Sequence, residues 1–184
     1  MRLFIASGFP VSVLDQIRGL QELAKPLLGD TVKWVEPGNV HLTYAFLGDL
    51  AQAKLPVIRK SMDGAAGAFR KIPVTLGGFG AFPSLERPRV LWLGFKEGGD
   101  ALTAMALKLY GGLTAEGFIL EHEFSAHITI ARVKASPDRV PLRRMAEMAE
   151  ELDADGTVAR IDLLESKLTS AGPKYRVLYS KELL

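Results

Sequence analysis

The feature that most constrains this chain is a pattern written twice. "VHLTYAFLGDL" holds His41 and Thr43, and "SAHITIARV" holds His127 and Thr129. Each copy reads His, apolar, Thr, apolar or aromatic, Ala, and together they use two of the three histidines in 184 residues. A stretch of this kind, apolar at alternate positions, reads as a strand. Each copy is followed by a helical pattern and then by another strand. A motif repeated once at long range implies two similar halves rather than a short-period solenoid. Halves packed face to face would bring the two strands together across one groove.

Side chains alternate along a strand. His41, Thr43 and Ala45 are therefore expected on one face, with Leu42, Tyr44 and Phe46 on the other. His127, Thr129 and Ala131 follow the same rule against Ile128 and Ile130. The bulky apolar set marks the core side, so His and Thr are left facing the groove, roughly 6.5–7 Å apart along the strand. By the same parity Arg132 falls on the core side, unless the strand ends or bulges there.

The remaining elements follow from periodicity and punctuation. "RLFIASG" reads as a buried first strand. Val13, Leu14, Ile17, Leu20, Leu23, Ala24 and Leu27 follow at helical spacing, with Pro10 in the first turn and Pro26 and Gly29 marking the end. "TVKWVEPGNVHLT" holds a short strand, a Pro-Gly turn and the strand opening near His41. A second helix is expected over "AKLPVIRKSMDGAAGAF". "IPVTLGGFGAF" and "RPRVLWLGFK" read as strands joined by a loop from Phe82 to Arg87. "DALTAMALKLYGGLTAEG" is a third helix and "EFSAHITIARV" a strand. "SPDRVPLRRMAEMAEEL" is a fourth helix, capped by Ser136 or Asp138. Two final strands, "TVARIDLLESKL" and "KYRVLYSKEL", meet at the turn "TSAGP". Short links between strands favour antiparallel pairing, and the fold class is α+β, one bilobal domain over residues 1–184.

Composition narrows the chemistry. There are no cysteines, which removes disulfides, thiolate nucleophiles and thiolate metal sites, and fits a reducing compartment. The N-terminal apolar run reaches only Pro10, too short for a signal peptide or a membrane span, so a cytoplasmic protein is expected. A net charge of +2 demands no polyanionic partner but allows a local cluster of Arg and Lys. A zinc reading fails on spacing. His122 and His127 in "HEFSAH" are five apart, where the helical zinc motif needs four, and His122 reads as a surface or loop residue. "TLGGFGAF" lacks both the dinucleotide and the nucleotide-triphosphate signatures. No catalytic metal and no cofactor is expected.

Two imidazoles facing one groove suit concerted acid–base work. Histidine titrates near pH 6.5, so one ring can be neutral and act as base while the other is protonated and acts as acid. Two threonine hydroxyls beside them can orient the non-bridging oxygens of an anion. The chemistry predicted is metal-free cleavage of a phosphodiester.

At these motifs the chain resembles the 2H phosphoesterase superfamily, and within it the RNA 2′,3′-cyclic phosphodiesterases, historically called 2′-5′ RNA ligases. The resemblance runs over nearly the whole chain. "VKWVEPGNVHLTYAFLGD" is similar to the first-motif segment. "FGAFPSLERPRVLWLG" is similar to the middle signature through Gly80, Phe82, Pro83, Arg87, Pro88 and Trp92. "FSAHITIARV" matches the second motif with its trailing Arg132, and "LLESKLTSAGPKYRVL" the C-terminal segment.

The resemblance implies two pseudo-symmetric halves of antiparallel sheet with outer helices around a central cleft. It implies hydrolysis of a terminal 2′,3′-cyclic phosphate on RNA to a 2′-phosphate. His41 would be the general acid and His127 the general base, with Thr43 and Thr129 on the phosphate. Arg132 is assigned to the ligand by the resemblance alone, and Phe82 and Arg87 are candidates to stack on a base or touch phosphate. Tyr44 and Ala45 depart from the usual Leu and basic residue, and Ser125 and Ala126 from the usual Arg-Pro. The implied partner is an RNA 3′ end, tRNA fragments included. A 2′-5′ ligase, a hydrolase of small cyclic phosphates and a non-catalytic RNA-end binding module stay open. With no heptad or large apolar stripe left over, a monomer is expected.

Overall fold

A computed structural model describes residues 1–120, 123–170 and 172–184. His122, read from the sequence as a surface or loop residue, lies outside the described residues. The strands are β1 (Arg2–Ser7), β2 (Val32–Trp34), β3 (Leu42–Asp49), β4 (Ile72–Phe82), β5 (Val90–Glu97), β6 (Ile128–Val133), β7 (Ala154–Val158), β8 (Arg160–Thr169) and β9 (Gly172–Glu182). The helices are α1 (Val11–Leu28), α2 (Leu55–Ala66), α3 (Gly99–Ala115) and α4 (Arg139–Glu150).

All strand pairings are antiparallel, in the order β7-β4-β5-β6-β3-β1-β8-β9, with β2 on β6. The order is symmetric about the β3–β6 seam. Outward from it, one arm runs β3-β1-β8-β9 and the other β6-β5-β4-β7. Each arm has its own helix pair on its convex face. Ile58 and Met62 of α2 and Leu102, Met105 and Leu109 of α3 cover the first arm. Val13, Ile17 and Leu20 of α1 and Leu142, Met145 and Ala149 of α4 cover the second. The fold is thus α+β with two halves, as expected. Each half borrows helices from the other, because α1 leaves β1 for the second arm and α3 leaves β5 for the first.

Five local expectations change. "TVARIDLLESKL" is two strands, not one: β7 pairs with β4 at one end of the sheet and β8 with β1 in the other arm. The chain switches arms at Ala159, between two buried ends, Val158 and Ile161. The strand at the second motif is shorter than expected, beginning at Ile128. Pro26 lies inside α1, and Gly29 alone ends it, at a φ of 51° that L side chains rarely adopt. Leu23 and Leu27, placed by spacing on the buried stripe of α1, are 68% and 37% exposed, since the helix buries a narrower face. Asp138 stands at the N-cap of α4 without a side-chain capping bond.

Candidate active site

The seam positions the two motifs. Leu42 of β3 is directly opposite Ile128 of β6, and both are fully buried. One step further along this antiparallel register, His41 falls opposite Thr129 and Thr43 opposite His127. All four occupy the face that Leu42 and Ile128 leave, the concave face of the sheet. Each histidine of one motif is therefore set against the threonine of the other.

Both imidazoles are anchored alike. His41 Nδ1 donates to the carbonyl of Asn39 at 2.6 Å, and His127 Nδ1 to the carbonyl of Ser125 at 2.7 Å. A carbonyl only accepts, so Nδ1 holds the proton in each neutral ring and Nε2 is left for chemistry. Aromatic rings fix the orientations. Phe4 lies 5.2 Å and Tyr175 5.3 Å from His41, the latter edge-on. Phe82 stands edge-on to His127 at 4.9 Å, with Trp92 behind at 6.3 Å. Burial pulls both imidazoles below their ordinary value of 6.5, against the upward pull of the two carbonyls. His41 is lowered further by the positive charges of Arg132 and His127.

The structure overturns strict alternation past the threonines. Toward β1, Ala6 pairs with Thr43 and Ile5 with Ala45, which leaves Tyr44 without a partner. Toward β5, Trp92 pairs with Thr129 and Leu91 with Ala131, which leaves Ile130 without one. Each motif strand carries a β-bulge at the same place, one residue after its threonine. A bulge reverses the facing of everything beyond it. Ala45 and Ala131 therefore turn into the two cores, at 3% and 0% exposure. Phe46 and Arg132 turn out onto the concave face. Arg132, which parity alone puts on the core side, is exposed and close enough to lower the pKa of His41.

The bulged carbonyls accept from side chains of equivalent helices, and that of Ile130 also from the backbone N–H of Val35. Gln21 of α1, itself buried, donates from Nε2 to the carbonyls of Ile130 and Val35 at 3.1 and 3.0 Å. Tyr110 of α3 donates to the carbonyl of Tyr44 at 2.8 Å. Neither residue was singled out in the sequence. A lone Gln on an apolar helix face is the signal that was available.

Phe82 closes β4 at the rim and, with Thr43, Phe46, Tyr110, Phe124 and His127, lines a cavity of about 560 Å³ beside His127. Asn39, Thr169, Pro173 and Tyr175 line a smaller and more open one. Arg87 is not brought in. It lies exposed on the loop between β4 and β5, with no ion pair among the described residues. Tyr175 and Phe4 enter from β9 and β1 of the same arm as His41, with no local signal to predict them. Among the described residues no group of three or more His, Cys, Asp or Glu is arranged to hold a metal ion, and no helix is long and apolar enough to cross a membrane.

Comparison with known proteins agrees with this division. The family model described as LigT-like phosphoesterase matches twice, over residues 8–92 and 93–175, once per motif. An RNA 2′,3′-cyclic phosphodiesterase of Archaeoglobus fulgidus is 37% identical over 184 residues, covering 97% of this chain and 98% of the relative. Another, from Thermotoga maritima, is 36% identical, covering 97% and 94%. Among solved structures, a protein of Thermus thermophilus superposes with a TM-score of 0.83 at 28% identity, covering 100% and 98%. The E. coli LigT crystal structure complexed with 3′-AMP shares the fold, with a TM-score of 0.80 at 24% identity, covering 99% and 97%.

Proposed function

Because the chain belongs to the LigT-like phosphoesterase family, we propose that it hydrolyses a terminal 2′,3′-cyclic phosphate on RNA to a 2′-phosphate, by acid–base catalysis between two histidines without a metal. The observation that carries this reading is the seam register, which sets two imidazoles with free Nε2 atoms against two threonine hydroxyls on one concave surface. The cyclic phosphate sits between them. His127 Nε2 takes a proton from water as its oxygen attacks phosphorus. The bond from phosphorus to the 3′ oxygen breaks, and His41 Nε2 delivers the proton that oxygen needs. Thr43, Thr129 and Arg132 hold the non-bridging oxygens, where charge accumulates in the transition state. Phe82 shields His127 and offers a face to the terminal base.

The electrostatics support this cycle. Burial holds both imidazoles below their ordinary value in the free protein, which favours the neutral form that the base needs. A bound phosphodiester anion offsets Arg132 and raises the pKa of His41, which suits the acid. Protonation of the acid is thereby coupled to substrate binding.

The test uses a short RNA ending in a 2′,3′-cyclic phosphate, incubated with the protein in excess EDTA, with the product read by phosphorus NMR. A 2′-phosphate is expected. A 3′-phosphate would assign the opposite leaving group. Tight binding without conversion would overturn the catalytic reading in favour of a binding module.

A further inference from the structure

Lys33 of β2 is the direct cross-strand partner of Arg132 of β6. The two side chains share the concave face, since their neighbours Val32 and Ala131 are buried in the second core. Both are exposed, and neither has a carboxylate within ion-pair distance among the described residues. Like charges directly opposite on a sheet repel, and an isolated fold would be more stable without them. An anion lying between them reverses the sign of that interaction.

The surroundings define where the anion lies. Lys33 Nζ comes within 3.9 Å of the Cβ position of Gly172, and Gly172 lines the open cavity beside Tyr175 and Asn39. Arg132 acts electrostatically on Tyr175 as well as on His41. Its guanidinium, with five donors, is thus near both His41 and Tyr175, a residue that lines this cavity. No Asp or Glu lines the cavity. The cavity beside His127 is instead lined chiefly by aromatic and apolar side chains. The cleft is thus symmetric in its histidines and asymmetric in its flanks, cationic beyond His41 and aromatic beside His127.

We infer that Lys33, together with Arg132, forms a second phosphate subsite that takes the phosphodiester on the 5′ side of the terminal nucleotide. This rests on the reading of the site as one for RNA ends, and deepens it. The substrate class is an oligonucleotide end with at least two phosphates, rather than a free cyclic mononucleotide. Arg132 bridges the reacting phosphate and its neighbour, while Lys33 touches only the neighbour.

The test separates this subsite from the reaction. A fluorescent RNA ending in a 2′-phosphate, which cannot be cleaved, is titrated against wild type, Lys33→Gln and Lys33→Arg. Each titration is repeated with RNA whose last linkage is an uncharged methylphosphonate. In wild type the neutral linkage should weaken binding about tenfold. In Lys33→Gln that loss should shrink to the part Arg132 supplies, and Lys33→Arg should restore the full effect. Lys33→Gln should also reduce the salt dependence for the charged RNA by about 0.7 in log–log slope. Equal weakening in wild type and Lys33→Gln, no weakening in wild type, or no binding at all would each overturn the subsite. Hydrolysis of a cyclic-phosphate RNA by wild type is scored separately. Coupling without hydrolysis retires the catalytic reading and keeps the subsite, and hydrolysis without coupling does the reverse.

Discussion

The side-chain amide of Gln21 donates to the carbonyl of Ile130 at 3.1 Å, and Ile130 is the residue that the β6 bulge leaves without a partner on β5. A helix of one half thereby holds open the kink that turns Arg132 toward the cleft. Gln21→Leu keeps the helix and its apolar packing but strands the carbonyl of Val35 and leaves that of Ile130 with the Val35 N–H alone, at 2.9 Å. A cost of about 1–3 kcal/mol is expected in urea unfolding. The loss of activity should exceed what the unfolded fraction explains, since Arg132 loses its fixed position. Tyr110→Phe removes the equivalent bond to Tyr44 and should act in the same direction.

The two histidines should titrate below 6.5 in the free protein, with burial as the main cause. Histidine-resolved NMR titration tests this directly. Arg132→Gln removes a positive charge that opposes protonation of His41, so the His41 titration should move up. That of His127, on which Arg132 does not act, should stay. The stability consequence has a definite sign. A depressed folded pKa means that the unfolded chain binds protons more readily. The stabilisation is complete above the unfolded value near 6.5 and declines as pH falls through the lower folded values.

Replacing either histidine should abolish most turnover while leaving RNA affinity largely intact. Loss of a general acid or base typically costs about 10²–10⁴-fold in kcat. Thr43→Val and Thr129→Val should each cost about 10²–10³-fold, the scale of one lost transition-state donor. Single-turnover assays on the four variants, with EDTA and with added divalent metal, check both figures. A metal-dependent remainder in either histidine variant would contradict the assigned roles.

Gly80 is a positional requirement of a different kind. A Cβ there would fall 2.2 Å from Trp92 Cζ2, inside a rigid ring that cannot move aside cheaply. Trp92 in turn lies against Phe82 and His127. Gly80→Ala should cost about 1–3 kcal/mol as an overpacked site. It should alter the near-ultraviolet circular dichroism of the indole and lower kcat by disturbing the His127 ring.

Much of the site was legible because it is local. His-x-Thr on a strand puts both side chains on one face whatever the partner strand does, and the bulky residue between them marks the opposite face as core. The repeat of that pattern, with the helix after it, was enough to indicate two halves. The α-helical stripes were legible for the same reason, apart from Leu23 and Leu27. The errors are equally specific. Ala45 and Ala131 were expected on the cleft face, where the fold puts Phe46 and Arg132. A single strand was expected over "TVARIDLLESKL", where the chain changes arms at Ala159.

What this sequence determined by itself is what depends on near neighbours: strand and helix periods, the facing of His41 with Thr43 and of His127 with Thr129, and the absence of thiol chemistry. The tertiary structure alone decided everything that depends on a partner strand. Tyr44 and Ile130 become bulges only because β1 and β5 each have one residue fewer to pair with them. Lys33 meets Arg132, and Tyr175 meets His41, only through pairings and packing between segments remote in the chain. A one-residue slip in such a register turns every following side chain to the other face, and no local pattern records which register the distant strand will take.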